Sequence, residues 1–128
     1  MTRNELDAKI LSLVERCKDH GWDGYRARPI GLGAVLRVQE LLKDVELPDK
    51  IVPDVDGAFG LYWNIGTPNV LPQLWVSLDG EGQCICLKSL PATGVLDAYD
   101  FEIADGPTLI TRALVHLRAG RPAREFTP

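Results

Sequence analysis

Apolar residues near the start of the chain recur every three or four positions, which is the spacing of one buried face of a helix. The members of this stripe are Leu6, Ile10, Leu13, Val14 and Cys17. Thr2 and Glu5 match a capping box, in which two side chains satisfy free amides at a helix start. With Gly21 as a stop signal, the pattern predicts a helix over roughly residues 3–19.

Two further stripes have the same spacing. One predicts a second helix from about Gly33 to Val45, and Leu47-Pro48 ends it because proline disfavours helical backbone in the residue before it. The other begins after Pro107, which suits the first turn of a helix, and ends at Gly120. The apolar positions of this third helix are Leu109, Ile110, Ala113, Leu114 and Leu117.

Between the second and third helices the period changes to two, which is typical of strands with one buried face. The alternating runs are Phe59-Leu61-Trp63-Ile65, Leu74-Val76-Leu78, Gln83 to Lys88, and Tyr99-Phe101-Ile103. Short turns containing Gly, Pro, Asn and Asp separate the first three runs and predict an antiparallel meander. The preceding segment, residues 48–57, is interpreted as an ordered loop.

This order of elements predicts an α+β fold. We expect a two-layer sandwich in which a three- or four-stranded antiparallel meander carries two N-terminal helices and one C-terminal helix on one face. Residues 1–120 form a single domain in this interpretation, and residues 121–128 form a flexible C-terminal tail. Tyr62 and Trp75 fall on the opposite face of the sheet, where such large aromatic side chains need an explanation.

The 128-residue chain has the size of one domain, with 45% hydrophobic and 25% charged residues. Its formal net charge of −4 argues against a general nucleic-acid or membrane-surface binder. A cluster of arginines near the C-terminus keeps nucleic-acid contact as the least favoured hypothesis. No apolar stretch approaches the roughly 18–20 residues that span a bilayer, and we expect a cytoplasmic protein.

Three cysteines do not form a disulfide framework. Cys17 falls on an apolar helix face, and Cys84 and Cys86 have strand spacing, so buried reduced thiols are expected. A zinc site would need ligands from the distant His20 and His116, and its signal is weak. We predict neither a metal nor a cofactor.

Catalytic patterns are also lacking. The two histidines stand in no recognisable catalytic setting, and no Gly-x-Ser-x-Gly elbow is present. Asp54-Val55-Asp56-Gly57 suggests a calcium loop, but Val52 and Trp63 occupy positions that would need oxygen ligands. The Asp-Gly pairs are better interpreted as turns, and no catalytic residue is predicted.

The segment Trp22-Asp23-Gly24-Tyr25 joins two aromatic residues to a turn signal between two predicted helices. We interpret Trp22, Asp23 and Gly24 as a structural clasp whose Trp folds onto the core. The outer edge of the segment can contact a partner, because Tyr, Trp and Arg are enriched at the energetic centres of interfaces. The candidate binding residues are Tyr25, Arg26, Arg28, Asp54, Asp56, Tyr62 and Trp75.

Two functions remain open at this point. The first is a non-catalytic protein-binding module with an immunity-like, antitoxin-like or regulatory role, and homodimerisation through the aromatic sheet face is a variant of it. The alternative is a small-molecule-binding or hydrolytic site between the Trp22 loop and the Asp54–Asp56 loop. A deep pocket with a raised carboxylate pKa would favour that alternative.

The chain resembles a group of small uncharacterised bacterial proteins that carry a Trp-Asp-Gly-Tyr segment and a downstream Asp-Gly-x-x-x-Leu-x-Trp strand. The matching positions begin at Trp22 and end with Asp56-Gly57, Leu61 and Trp63, and the resemblance covers about residues 20–80. It implies a bacterial or phage origin and one shared domain. It carries over no catalytic residues, but it implies that the two aromatic segments belong to one structural unit.

Overall fold

A computed structural model of the protein describes residues 1–66, 72–78, 84–90 and 99–127. These residues contain the helices α1 (Arg3–Arg16), α2 (Leu32–Leu41) and α3 (Gly106–Arg118). The strands are β1 (Lys50–Pro53), β2 (Phe59–Asn64), β3 (Gln73–Leu78), β4 (Cys84–Leu90) and β5 (Tyr99–Glu102). The α+β class is thereby confirmed. None of the described helices is both long and apolar enough to cross a bilayer.

The sheet is an antiparallel meander in which each strand pairs with its neighbours in sequence, in the order β1-β2-β3-β4-β5. It has more strands than predicted, because residues 50–53 form an edge strand where the sequence indicated only a loop. Four residues ending at Pro53 are too few to show a periodic pattern. An edge strand tolerates proline, since the missing N–H can face away from the sheet.

One face of the sheet and the apolar faces of all three helices share a single core. The row Ile51, Leu61, Val76 and Leu87 crosses four strands in register, and each of these side chains is buried. Phe59 and Trp63 extend the same face and are completely buried, as the period of two predicted. The helices contribute buried residues that include Leu6, Ile10, Leu13, Val38, Leu41, Ile110 and Leu114.

Glu46 connects this core to α3. The buried Trp63 indole N–H donates to the Glu46 backbone carbonyl over 2.8 Å. Arg118 of α3 donates to both carboxylate oxygens of Glu46, over 2.6 and 2.5 Å. These Arg118 hydrogen bonds lower the pKa of Glu46, although partial burial opposes the effect. The backbone of Glu46 thus connects the segment after α2 to the sheet, and the side chain of Glu46 connects this segment to α3.

The end of the chain differs from the flexible tail that the sequence predicted. Residues Ala123–Glu125 form a 3₁₀ turn, and Phe126 after it is only 6% exposed. His116 Nε2 lies 2.7 Å from the Pro122 carbonyl oxygen, and the His116 and Phe126 rings meet edge to face at 5.4 Å. The segment therefore folds back onto α3, because Phe126 finds apolar surface there.

Candidate functional site

The loop between α1 and α2, called the Trp22 loop (residues 18–30), is folded around the Asp23 carboxylate. Asp23 Oδ1 accepts hydrogen bonds from the backbone N–H groups of Tyr25 at 2.8 Å and Ala27 at 3.1 Å. These amides lower the pKa of Asp23, against a small opposing effect of desolvation. An Asp side chain that bonds to amides shortly after it is a known way to close a turn. The Asp23 carboxylate therefore acts as a hydrogen-bond acceptor that stabilises the turn.

Trp22 fastens the same loop to the core. Its ring is partly buried and packs against the core cluster, and its indole N–H donates to the Arg28 carbonyl over 2.6 Å. The Gly21 N–H donates to the Ala27 carbonyl over 2.7 Å and closes the loop at its base. Gly24 takes a φ of +83°, a left-handed conformation that disfavours residues with a Cβ.

A second tight loop lies directly against the Trp22 loop. In this Asp54 loop (residues 54–58) the Gly57 N–H donates to the Asp54 carbonyl, and Asp56 Oδ1 accepts from the Ala58 N–H over 3.2 Å. The Arg28 N–H donates to the Val55 carbonyl over 2.8 Å. The two loops are therefore joined by a direct backbone hydrogen bond.

The outward surface of this pair of loops, called the loop edge, consists of Tyr25, Arg26, Arg28 and Val55. Tyr25 is 77% exposed and Val55 57% exposed. The Arg26 guanidinium lies 5.4 Å from the centre of the Tyr25 ring, a cation–π distance. Both arginines are exposed, and neither forms an ion pair with a described residue. The loop edge thus combines apolar surface with two positive charges.

Val55 is the member of the loop edge that the sequence analysis missed. Its signal was an isolated apolar residue between two aspartates in a turn, where burial is difficult. The sequence favoured Asp54 and Asp56 as the binding residues of that loop. The structure instead gives Asp56 a role in shaping the turn and places Val55 outward.

Tyr62 and Trp75 form a second group on the outer face of the sheet. They are direct partners in the register of β2 and β3, and their rings stack at 6.1 Å with an interplanar angle of 19°. Both side chains are partly buried, so much of their surface is covered by local packing. The Trp75 indole lies over Gly60, where a Cβ would come within 2.9 Å of Trp75 Nε1. Lys50 Nζ lies 5.9 Å from the Tyr62 ring centre.

Asp54 belongs electrostatically with this second group. Burial raises the pKa of the Tyr62 hydroxyl, and the negative charge of Asp54 raises it further. The predicted site residues are therefore not one cluster. Tyr25, Arg26 and Arg28 lie on the loop edge, whereas Asp54, Tyr62 and Trp75 relate to the outer face of the sheet.

The hydrolytic alternative gains no support from Asp23. A general acid needs a carboxyl pKa raised toward the working pH, whereas the pKa of Asp23 is lowered and its carboxylate is used by backbone amides. The two described cavities lie along α3 and are lined by residues outside both loops. Among the described residues, no group of His, Cys, Asp and Glu side chains could hold a metal ion.

Cys17 is a buried free thiol on α1's C-terminal side, and its carbonyl accepts from the Ile30 N–H. Burial raises the pKa of the Cys17 thiol, while the charge of Arg16 lowers it to a smaller extent. The side chains of Cys84 and Cys86 lie outside the described residues, so the expectation about them stays a prediction.

Comparisons of the chain with protein-family models, with curated proteins and with solved structures found no match. The resemblance to small bacterial proteins thus stays an expectation from the sequence.

Proposed function

We propose that the protein is a non-catalytic binding module that uses its loop edge to hold an acidic surface of a partner protein. The single observation that carries this proposal is the 77% exposed Tyr25 on a loop whose backbone is fixed at both sides. Asp23 holds the amides of Tyr25 and Ala27, and the Trp22 indole holds the Arg28 carbonyl.

A fixed loop lowers the entropy that binding must overcome. Ordering a flexible loop on association opposes binding, and a loop already held in one conformation avoids much of that loss. Tyr and Arg supply large contact area and charge-assisted hydrogen bonds, which is why they recur at the centres of interfaces. Val55, whose carbonyl accepts from the Arg28 N–H, adds exposed apolar surface.

The chemistry of the partner follows from the charges. Arg26 and Arg28 form no ion pair with a described residue, although the chain as a whole has a net charge of −4. A partner with carboxylates around an apolar pocket would complement both arginines and Tyr25. An immunity-like, antitoxin-like or regulatory protein pair would use a surface of this kind.

The outer face of the sheet is a weaker candidate for the same role. Tyr62 and Trp75 are partly buried and already stack on each other, so they have less free surface than Tyr25. Homodimerisation through this face would give twice the monomer mass by light scattering at high concentration. A monomeric mass there would leave the loop edge as the sole proposed interface.

The test is affinity capture from a lysate of the source cell with the wild-type chain and two variants. Tyr25→Ala and the double charge reversal Arg26→Glu/Arg28→Glu should each remove the partner that the wild-type chain retains. Arg37→Glu is the control, since Arg37 is an exposed arginine on α2 and is not one of the residues of the loop edge. It should retain the partner.

Circular dichroism and thermal unfolding must show that the variants are folded, so that lost capture reports on the surface. Capture that is equal for the wild type and both loop-edge variants would contradict the proposal. Capture lost equally by the Arg37→Glu control would also contradict it, because the effect would then follow net charge alone.

A further inference from the structure

Helix α3 and the folded-back C-terminal segment border an open cavity of about 410 Å³. Its walls come from the exposed side of α3 and from the residues after Gly120. The lining residues are Thr111, Arg112, Val115, His116, Arg121, Glu125, Phe126 and Thr127. This volume lies within the range of small-molecule sites, and the cavity is separate from the loop edge in its residues.

Arg112 is held in place at this cavity. One of its terminal nitrogens donates to the Thr127 carbonyl over 2.8 Å, and its guanidinium lies 5.9 Å from the centre of the Phe126 ring. Phe126 is fixed in turn by its edge-to-face contact with His116. A guanidinium has five N–H donors, so the bond to Thr127 leaves others free to bind a ligand.

The charged side chains of the cavity lining include two arginines. Arg112 and Arg121 both line it, and neither forms a salt bridge with a described residue. Glu125 is the acidic residue of the same lining. A second cavity of about 430 Å³ adjoins the first and shares Thr111 and Arg112 with it, which places Arg112 between two open spaces.

The cavity lining also has an apolar part, which constrains the chemistry of a ligand as much as the charges do. Val115 is 66% exposed, although it is an aliphatic residue in the last turn of α3. Together with the Phe126 ring it gives the cavity an apolar wall beside the guanidinium groups. A ligand that matches both parts carries an anionic group next to an apolar body.

We propose that this cavity binds a carboxylate attached to an apolar, ring-sized group. Arg112 and Arg121 hold the carboxylate, since a guanidinium fork matches its two oxygens, and Val115 and Phe126 pack against the apolar body. The carboxylate can belong to a free organic acid or to the C-terminal residue of a peptide. The shared chemistry defines the site, and the experiment distinguishes the two sources.

Benzoate is the first probe, with neutral benzamide as its control of equal shape. Titration into the ¹⁵N-labelled protein should shift the backbone amides of Arg112, Arg121 and Phe126 in a saturable way. A ligand of this size is expected to bind with a dissociation constant of roughly 1–10 mM. Benzamide should bind at least about tenfold more weakly, because a charge-assisted hydrogen bond is lost.

Arg112→Gln and Arg121→Gln should each raise the benzoate dissociation constant about tenfold. Arg112→Gln also removes the hydrogen bond to Thr127 and could disturb the local structure. Arg121→Gln avoids this problem, because the Arg121 side chain forms no hydrogen bond or salt bridge with the described residues. Arg37→Gln on α2 removes an equal charge elsewhere and should leave the dissociation constant unchanged.

A tripeptide ending in Phe with a free carboxylate, and the same peptide with an amidated end, identify the source. If the free-acid peptide binds tenfold more tightly than benzoate does, the site is assigned to peptides. If the peptide binds as tightly as benzoate or more weakly, the site is assigned to free acids. The proposal is overturned if benzoate produces no saturable shifts up to about 50 mM, a concentration well above the expected range. Equal binding of benzamide, or unchanged binding by both arginine variants, would overturn it as well.

Discussion

Asp23 shows how one side chain can fix a loop. Its carboxylate receives two backbone amides that would otherwise require water, and the exposed Tyr25 follows directly from the turn it makes. The Asp-Gly pair in the sequence indicated a turn, but not that the carboxylate would organise the residues on both sides of Tyr25.

The pKa of Asp23 gives a test of this role. Because its folded-state pKa is lowered, the contribution of the carboxylate is present above the unfolded pKa and is lost as the pH falls through the folded value. The amide shifts of Tyr25 and Ala27 should therefore titrate with a midpoint below about 3.9, the ordinary value for Asp. Two-dimensional NMR between about pH 2 and pH 6, roughly two units on either side of the ordinary value, measures the midpoint. A midpoint at or above the ordinary value would show that the amides do not hold the charge.

Gly60 illustrates a residue that is constrained by its neighbour across the sheet. A Cβ at this position would lie 2.9 Å from Trp75 Nε1 and 3.2 Å from Val52 Cγ2, so the indole would have to move. Gly60→Ala should lower the free energy of unfolding by about 1–3 kcal/mol, as measured by urea denaturation.

Gly33→Ala is the matched control for Gly60→Ala. It lies in α2 with no heavy atom within 4 Å of a Cβ, and alanine should stabilise the helix there by about 0.5–1 kcal/mol. If both substitutions shift the unfolding midpoint in the same direction, the close approach of Trp75 is not the reason that residue 60 is a glycine.

At the scale of elements, Glu46 joins three parts of the fold that the sequence presents separately. Its backbone accepts from Trp63 of β2, and its carboxylate accepts from Arg118 of α3. The two side chains are 72 positions apart, so no local pattern predicts their pairing. Periodicity predicted the helices and the strands other than β1, but it contains no information about which polar residues meet.

The Glu46–Arg118 pair should contribute measurable but modest stability. Both side chains are more than a third exposed, and exposed pairs contribute about 0.2–1 kcal/mol even with good geometry. A double-mutant cycle with Glu46→Gln and Arg118→Gln should give a coupling free energy in the upper part of that range at low salt. The coupling should fall in about 1 M NaCl, where screening is strong. A coupling near zero at low salt would show that solvent screens the pair completely.

At the scale of the whole molecule, the segment after Gly120 belongs to the folded structure. The sequence suggested a flexible tail because arginine and proline dominate it, and Phe126 alone gave no periodic signal. Phe126 is buried in the core cluster, with the His116 ring edge to face against it and the Arg112 guanidinium 5.9 Å from its ring centre, and α3 carries both of these side chains.

Phe126→Ala should therefore lower the stability of the protein. Truncating a buried Phe costs about 3–5 kcal/mol in a core, and the lower end is expected at this peripheral position. Leu11→Ala is the control, because Leu11 is 69% exposed on α1 and its truncation should change the free energy of unfolding by less than about 0.5 kcal/mol. Equal effects of the two substitutions in thermal or urea unfolding would support the flexible tail.

The sequence by itself determined the elements that depend on repeated local patterns. The three helices and the strands β2 and β3 follow from stripes of three to four and from alternation, because burial of one face imposes a period on the chain. The capping box at Thr2 and Glu5 is equally local. Tyr62 and Trp75 were correctly placed on one face, since alternation alone fixes their side of the sheet.

Only the tertiary structure decided which of these residues lie together at the surface. It joined the Trp22 loop to the Asp54 loop through Arg28 and Val55, and it assigned Asp23 and Asp56 to holding turns. It also built a cavity from α3 and residues after Gly120. The junction of the two loops depends on a contact between residues far apart in the chain, Arg28 and Val55. Such contacts have no period, and they arise only when the shared core brings the elements together.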